Sequence, residues 1–340
     1  MKLSILDALP ICLGETGLDA IRNGIELARH ADRLGFHRYW LTEHHGVPSE
    51  PATAPEHLIP SLLAETQNIR VGAGGILLNH HSPYKVALNF RTLLALHPER
   101  LDLGVGRASS GAAADLALMR DREAANQIDR DADLDELVRW LGKEPQADAR
   151  LNGLAILPEL PPGPSPWVLC ASIRSARHAA ENGLCLAFGA FIAPQEAEAA
   201  LQAYFQYFRP ASHRAGIAEP KAILAVRVAV AETREQAERQ AMPMRLMMRL
   251  RRGEGRFIER LPTPEEAIRQ WGGVVPAEGP PEPGGAWPDY VVGDAARVAD
   301  TLDRMARITG VGEVMIQDFV PVHAQRLQTC SLIAKQFGGR

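Results

Sequence analysis

"GLDAIRNGIELARHADRLGFHRYWLTEHHG" (residues 17–46) holds a helix, a turn and a strand in that order, and the order decides the fold. Ile21, Ile25, Ala28 and Leu34 recur near one helical face, so the first part reads as amphipathic. Gly35 suits the left-handed position that ends a helix. The run "HRYWLTE" (37–43) then reads as a short buried strand. It finishes on an acid and two adjacent histidines, an odd ending for a core strand. Upstream, "KLSILD" (2–7) is a second strand, so the chain opens strand–helix–strand.

The alternation continues outward. A helix is expected near 54–66, then a strand at "IRVGAGGILL" (69–78) and a helix from Pro83, where proline suits a first turn. "RLDLGVG" (100–106) is the fourth strand, with a helix later near 132–142. "PWVLCAS" (166–172), "LCLAFGA" (184–190) and "KAILAVRVAV" (221–230) are further strands, followed by helices at 175–183, about 194–208 and about 232–251. A helix over 294–310, the strand "GEVMIQD" (312–318) and a helix near 321–337 complete the count. Eight strands, each followed by a helix, predict an α/β fold of the (β/α)8 TIM-barrel type with insertions after strands 4 and 7. No G-x-G-x-x-G follows the first strand, which weakens a doubly wound dinucleotide fold. We expect one domain over 1–340. The insertion at about 252–290, with its glycine- and proline-rich stretch 272–289, is a candidate lid or a surface loop.

Composition narrows the function classes. The net charge of −4 gives no electrostatic reason for a nucleic acid or membrane partner. The basic run "RLMMRLRRGEGRFIER" (245–260) lacks interleaved aromatics and reads as a solvated helix face and loop. The four cysteines, Cys12, Cys170, Cys185 and Cys330, are far apart without a C-x-x-C pattern, as in a reduced cytoplasmic protein. Asp7 and Pro10 interrupt any signal-like apolar run, and no stretch is long enough to span a bilayer. Cys12 reads as a packed thiol.

In such a barrel the chemistry gathers at the C-terminal ends of the strands. Asp7, Glu43, His44, His45, Asn79, His80, His81, Arg107, Ser109, Ser110, Ser172, Ser175, Gln317 and Asp318 all fall there. Consecutive strand residues point to opposite faces, so His44–His45 and His80–His81 are poor metal pairs, and no H-x-H is present. No metal is expected. Arg107 with "ASIRSARHAA" (171–180) suggests an anion pocket at a helix N-terminus. The alternative is that Ser175 only caps its helix and Arg107 pairs with a loop carboxylate. Gly72, Gly74 and Gly75 mark either a close approach by a planar ligand or a bend at a barrel corner.

Five segments carry a family resemblance: "LSILDALP" (3–10), "ELARHADRLGFHRYWLTEHHG" (26–46), "IRVGAGGILLNHHSPYKVALNFRTLLALHPERLDLGVGRA" (69–108), "LCASIRSARHAAENGL" (169–184) and "VVGDAARVADTL" (291–302). The chain resembles the bacterial luciferase-like flavin-dependent monooxygenases, of the subgroup found in antibiotic biosynthesis. The resemblance implies a homodimeric barrel that uses reduced FMN supplied by a transiently bound flavin reductase. It implies insertion of one oxygen atom from O2 into a small organic substrate through a C4a-hydroperoxyflavin. His44 matches the active-site histidine, and Gly74–Gly75 match a pair joined by a non-prolyl cis peptide against the flavin ring. Arg107, Ser172 and Ser175 match phosphate-binding positions, and Asn79 joins the cofactor-binding set. Gly106 stands where the light-emitting enzymes carry a reactive cysteine, so long-chain aldehyde bioluminescence is not expected. An F420-dependent hydride-transfer oxidoreductase and a noncatalytic flavin-binding relative are the alternatives. For His44 we expect acid/base work, since a free imidazole titrates at about 6.5. The bland alternative is that it only orders its loop through Glu43.

Overall fold

A computed structural model describes residues 1–118, 130–276 and 287–338. Its strands are β1 (Lys2–Asp7), β2 (Arg38–Leu41), β3 (Arg70–Leu77), β4 (Leu101–Gly106), β5 (Trp167–Cys170), β6 (Cys185–Gly189), β7 (Ala222–Ala231), β8 (Val291–Asp294) and β9 (Glu313–Gln317). The first half carries helices α1 (Gly17–Arg33), α2 (Pro55–Glu65), α3 (Pro83–Leu96), α4 (Ala112–Leu118) and α5 (Arg130–Gly142). The second half carries α6 (Ile173–Glu181), α7 (Ala197–Tyr207), α8 (Arg234–Gln240) and α9 (Met242–Glu254). It continues through α10 (Pro264–Trp271), α11 (Ala295–Thr309) and α12 (His323–Phe337).

Strands β1 to β7 pair in sequence order, β7 then pairs with β9, and β9 with β1, all in parallel. The ring is therefore a closed eight-stranded (β/α)8 barrel, formed by the eight strands read from the sequence. β8 lies outside it, paired with the far end of β7 through Val228↔Val291 to Ala231↔Asp294.

Local chemistry explains the elements. Thr16 and Asp19 form a capping box at the start of α1, and Gly35 follows its end at φ 80°. Leu27, Ala28 and Ala31 of α1 are buried against the barrel. The helix expected over 232–251 is broken in two at Ala241. Pro243 lacks an N–H and would clash with a preceding carbonyl, so it is tolerated only in the first turn of α9. Of the candidate lid, residues 277–286 lie outside the described residues; α10 and β8 flank them.

The barrel interior is layered. At the N-terminal mouth Arg38 donates to Glu313 at 2.6 Å and to Asp102 at 2.7 Å, while Arg70 donates to Asp102 at 2.6 Å. Burial alone would raise the Asp102 carboxyl, but Arg38 and Arg70 hold it below its usual range. Above this plug Trp40 and Trp167 meet edge to face at 5.6 Å. Leu6, Ala187, Ala225 and Met315 share that layer and form the floor of the open end.

Candidate active site

A cavity of about 1710 Å³ opens at the C-terminal mouth. Strand periodicity builds it. One inward step above the floor residues Trp40, Leu169, Ala187, Ala225 and Met315 come Thr42, Ala171, Gly189, Arg227 and Gln317, and all line the cavity. Gly74, Gly75, Gly106 and Ala108 add stretches of wall with little or no side chain. The Gly74–Gly75 peptide is cis, and the β3–β4 register shifts there. A Cβ on Gly75 would sit 2.6 Å from the carbonyl of Gly104, so only glycine fits that approach of strand to strand.

His44 lines the cavity, its backbone tethered by an N–H bond to Ala52 O at 2.8 Å. Its Nδ1 contacts the carboxylate of Glu50, a buried side chain, and lies 3.3 Å from Thr42 Oγ1. A carboxylate beside Nδ1 favours the tautomer that keeps the proton on Nδ1, with Nε2 as the acceptor. Nε2 has no hydrogen-bond partner among the described residues. Glu43, by contrast, serves the other histidines: His45 at 2.7 Å and His81 at 2.9 Å on one oxygen, and the Leu77 N–H at 2.8 Å on the other. Ordering of the His44 loop through Glu43 is thus corrected, because Glu50 is the partner. Burial works against the charged form of Glu43, yet the bonds from His81 and His45 outweigh it and hold its carboxyl low. The bond to Glu43 pushes His81 up.

Ligand atoms of Glu43, His45 and His80 come within 4.8 Å of one another. Hydrogen bonds take up part of that cluster: Glu43 is used as above and His80 Nε2 lies 2.9 Å from Asp115, while His80 Nδ1 is buried without a partner among the described residues.

Arg107 and Ser175 meet, with Nη2 donating to the Ser175 hydroxyl at 3.4 Å. Ser172, and not Ser175, caps α6: its hydroxyl accepts the Ser175 N–H at 3.3 Å. Arg107 also pairs with the half-exposed Asp131 at the start of α5, and Arg174 and His178 each approach that carboxylate to 3.9 Å. Arg107, Ser172, Ser175 and His44 all line the same cavity. The anion-site and carboxylate-pair readings of Arg107 thus describe one basic cluster, with Asp131 as its shared carboxylate.

Five rim residues go elsewhere: His80 and His81, bonded to Asp115 and Glu43 as above, and Asn79, Asp7 and Asp318. Asn79 does not line the cavity; its amide lies 3.1 Å from His80 Nε2 in a short 3-10 turn behind the wall. Asp7 and Asp318 point outward and clamp α12 through Arg326, at 2.8 and 2.7 Å. Burial pushes the Cys170 thiol, on the cavity wall, and the packed Cys12 thiol each up to about 12, so neither is an activated nucleophile.

Glu50 and Arg227 are among the cavity residues not singled out from the sequence. Nothing in "VPSEPATAP" marks Glu50. Arg227 had a signal, a lone charge within the apolar run "KAILAVRVAV".

The luciferase-like monooxygenase family model matches residues 2–311. The chain belongs to that family. Like other luciferase-like monooxygenases it is a flavin-dependent oxidoreductase, and the fold is shared with enzymes that take FMN and with others that take F420. It is 32% identical over 338 residues to a luciferase-like monooxygenase of Escherichia coli, covering 98% of this chain and 96% of that protein. To the N-acetyl-S-alkylcysteine monooxygenase of Bacillus subtilis it is 35% identical over 243 residues, 70% of each chain. The solved structure of apo-MsnO8 superposes with a TM-score of 0.87 at 38% identity, covering 99% of this chain and 98% of that one. Within the luciferase-like frame Gly106 borders the cavity, and a Cβ there would press only on Leu77, at 3.0 Å.

Proposed function

We propose that this protein is the oxygenating component of a two-component monooxygenase. It takes reduced FMN from a separate flavin reductase and inserts one oxygen atom of O2 into a small organic substrate. The reading includes a cytoplasmic homodimer, on the strength of the family resemblance. One observation carries it: a basic cluster, a glycine wall and a histidine–glutamate pair share one cavity.

FMN fits these residues. Arg107, the Ser175 hydroxyl and the N-terminus of α6 would hold its phosphate, and Asp131 would yield the guanidinium to it. The wall at Gly74, Gly75, Gly106 and Gly189 leaves a slot for a planar ring. When bound, reduced FMN supplies the electrons and activates O2. Glu50 keeps the Nδ1–H of His44 in place, so Nε2 takes a proton from the reacting centre and returns it. Leu6, Trp40 and Met315 keep the floor of the cavity apolar and limit water there.

The test mixes the protein with photoreduced FMN under nitrogen and then admits air. Expected are saturable binding and reoxidation of the bound flavin much slower than that of free FMN, with hydrogen peroxide released when no substrate is present. Binding of F420 in place of FMN would move the assignment to hydride transfer. FMN that binds but reoxidises as fast as in free solution would leave a noncatalytic carrier.

A further inference from the structure

Among the described residues, the buried arginines face carboxylates or a set of carbonyls, with one exception. Arg38 faces two carboxylates, Asp102 and Glu313, and Arg326 faces two more, Asp7 and Asp318. Arg91 donates to three backbone carbonyls, those of Ile156 at 3.0 Å, Leu141 at 3.3 Å and Leu157 at 2.9 Å. Arg227 is only 7% exposed, yet among the described residues its one hydrogen bond goes to the neutral amide oxygen of Gln317, at 3.3 Å. Its Nε is buried without a partner, and no described carboxylate lies within ion-pair distance. Phe191, Phe319 and Tyr290 surround the guanidinium at 4.9, 5.5 and 5.9 Å to their ring centres. Such contacts offset part of a desolvation cost but do not supply a counter-charge. Burial pulls the group down to about 10, against an upward pull from Tyr290 and from the Glu50 and Asp289 carboxylates beyond ion-pair distance, so it stays cationic at neutral pH.

The location gives this imbalance a direction. Arg227 stands in register with Gln317, one inward step above Ala225, on the cavity wall. Two strands, β5 and β6, separate β7 from the β4 end that carries Arg107. The guanidinium is therefore a buried cationic point in the cavity, apart from the basic cluster around Arg107 and from the exposed Arg251 and Arg252 that also line it. Met244 and Met248 of α9 line the same cavity, as do Phe191 and Phe319.

We infer that Arg227 anchors the carboxylate of the substrate, whose apolar body lies against Phe191, Phe319, Met244 and Met248. The inference rests on the monooxygenase reading and names the substrate class within it: a monocarboxylic acid with an apolar body. A carboxylate would accept from Nε and a terminal N–H together, a fork geometry that a neutral amide cannot match in charge. The cation is already desolvated and held in place, so the ligand meets a preorganised partner.

The test uses paired probes: octanoate with octanamide, hydrocinnamate with hydrocinnamamide, and N-acetylmethionine with its primary amide. Each is titrated into the FMN-loaded protein, with thermal midpoint and flavin absorbance as readouts. At least one acid should bind roughly tenfold or more tightly than its amide. Arg227→Gln should abolish the difference and leave FMN affinity unchanged, while Arg227→Lys should keep part of it. Equal binding of acid and amide, no binding of any acid, or an FMN affinity that falls with Arg227→Gln would each overturn the inference. Should Arg227→Gln not fold, the acid–amide comparison on the wild type and Arg227→Lys decides. Should FMN itself fail to bind, the monooxygenase reading fails instead, and the same pairs titrated into the FMN-free protein still decide whether Arg227 holds a carboxylate.

Discussion

At the N-terminal mouth of the barrel Arg38 and Arg70 face Asp102 and Glu313; at the C-terminal mouth Arg227 faces an amide and three aromatic rings. Both ends bury cations among aromatic side chains, and Arg38 even stacks over Trp167 at 4.7 Å. They differ in how the charge is met. The lower network uses its charges up, so no valence remains for a ligand and the mouth is a plug. The upper mouth keeps capacity in reserve: Arg227 Nε without a partner, His44 on the cavity wall, and Arg107 paired with the half-exposed carboxylate of Asp131. Matched charge marks a structural end of this barrel, and unmatched charge marks a binding end.

Substitutions at the two mouths should therefore fail in different ways. The largest effect is expected for His44→Ala, which on the proposed function lowers turnover by about 10²–10⁴-fold. Its urea midpoint and FMN affinity should stay close to wild type, and full coupled turnover in this variant would remove the acid/base role. At the lower mouth Arg38→Ala leaves Glu313 and Asp102 short of a cation, and we expect a loss of about 3–5 kcal/mol in unfolding free energy. Chemical denaturation measures it; a loss below 1 kcal/mol would break the contrast between the mouths (~1 being typical of a neutral hydrogen bond).

Arg107→Ala should weaken FMN binding by about 1.5–3 kcal/mol, the value of a charge-assisted hydrogen bond, with little change in melting temperature. Fluorescence titration reads it directly. Arg227→Met replaces a buried, unbalanced cation with an apolar chain, so stability should rise by roughly 1 kcal/mol, opposite in sign to Arg38→Ala. A fall of similar size would mean that the cation supports the fold.

The smallest effect concerns pH. His81 is raised above 6.5 in the folded chain, so its contribution is complete below that pH and fades as pH rises through the folded value. Glu43 is held below 4.5, so its contribution is present above that pH and fades as pH falls through the lowered value. The urea midpoint should therefore decline as pH rises above about 6.5, and less steeply in His81→Gln.

The ring of strands was legible because apolar runs of strand length alternate with helical periodicity from one end to the other. β8 was not, because "VVGD" is short and flanks a helix start; its pairing exists only because β7 overshoots the ring. α10 had a usable signal, the Thr263–Glu266 capping box with Pro264, hidden within a stretch read as loop. The meeting of Arg107 with Ser175 was legible because both sit at C-terminal strand ends, where a barrel gathers its side chains. Asp7 and Asp318 were misassigned to the rim although parity was available: Leu6 and Gln317 point inward, so their chain neighbours point out. Glu50 could not be found this way, because a loop has no period and its partner is chosen by the tertiary fold.

β7 runs for ten residues, and its two halves do separate jobs. Residues 222–227 close the ring with β6 and β9, whereas 228–231 hold β8. No ladder position is shared between the two tasks. The excursion that leaves β7 and comes home on β8 consequently has its own docking rail, and its described residues Met244, Met247 and Leu261 also pack against Ala8 and Phe319 of the barrel. A change in that excursion therefore reaches the mouth through α9, while the ring positions 222–227 stay as they are.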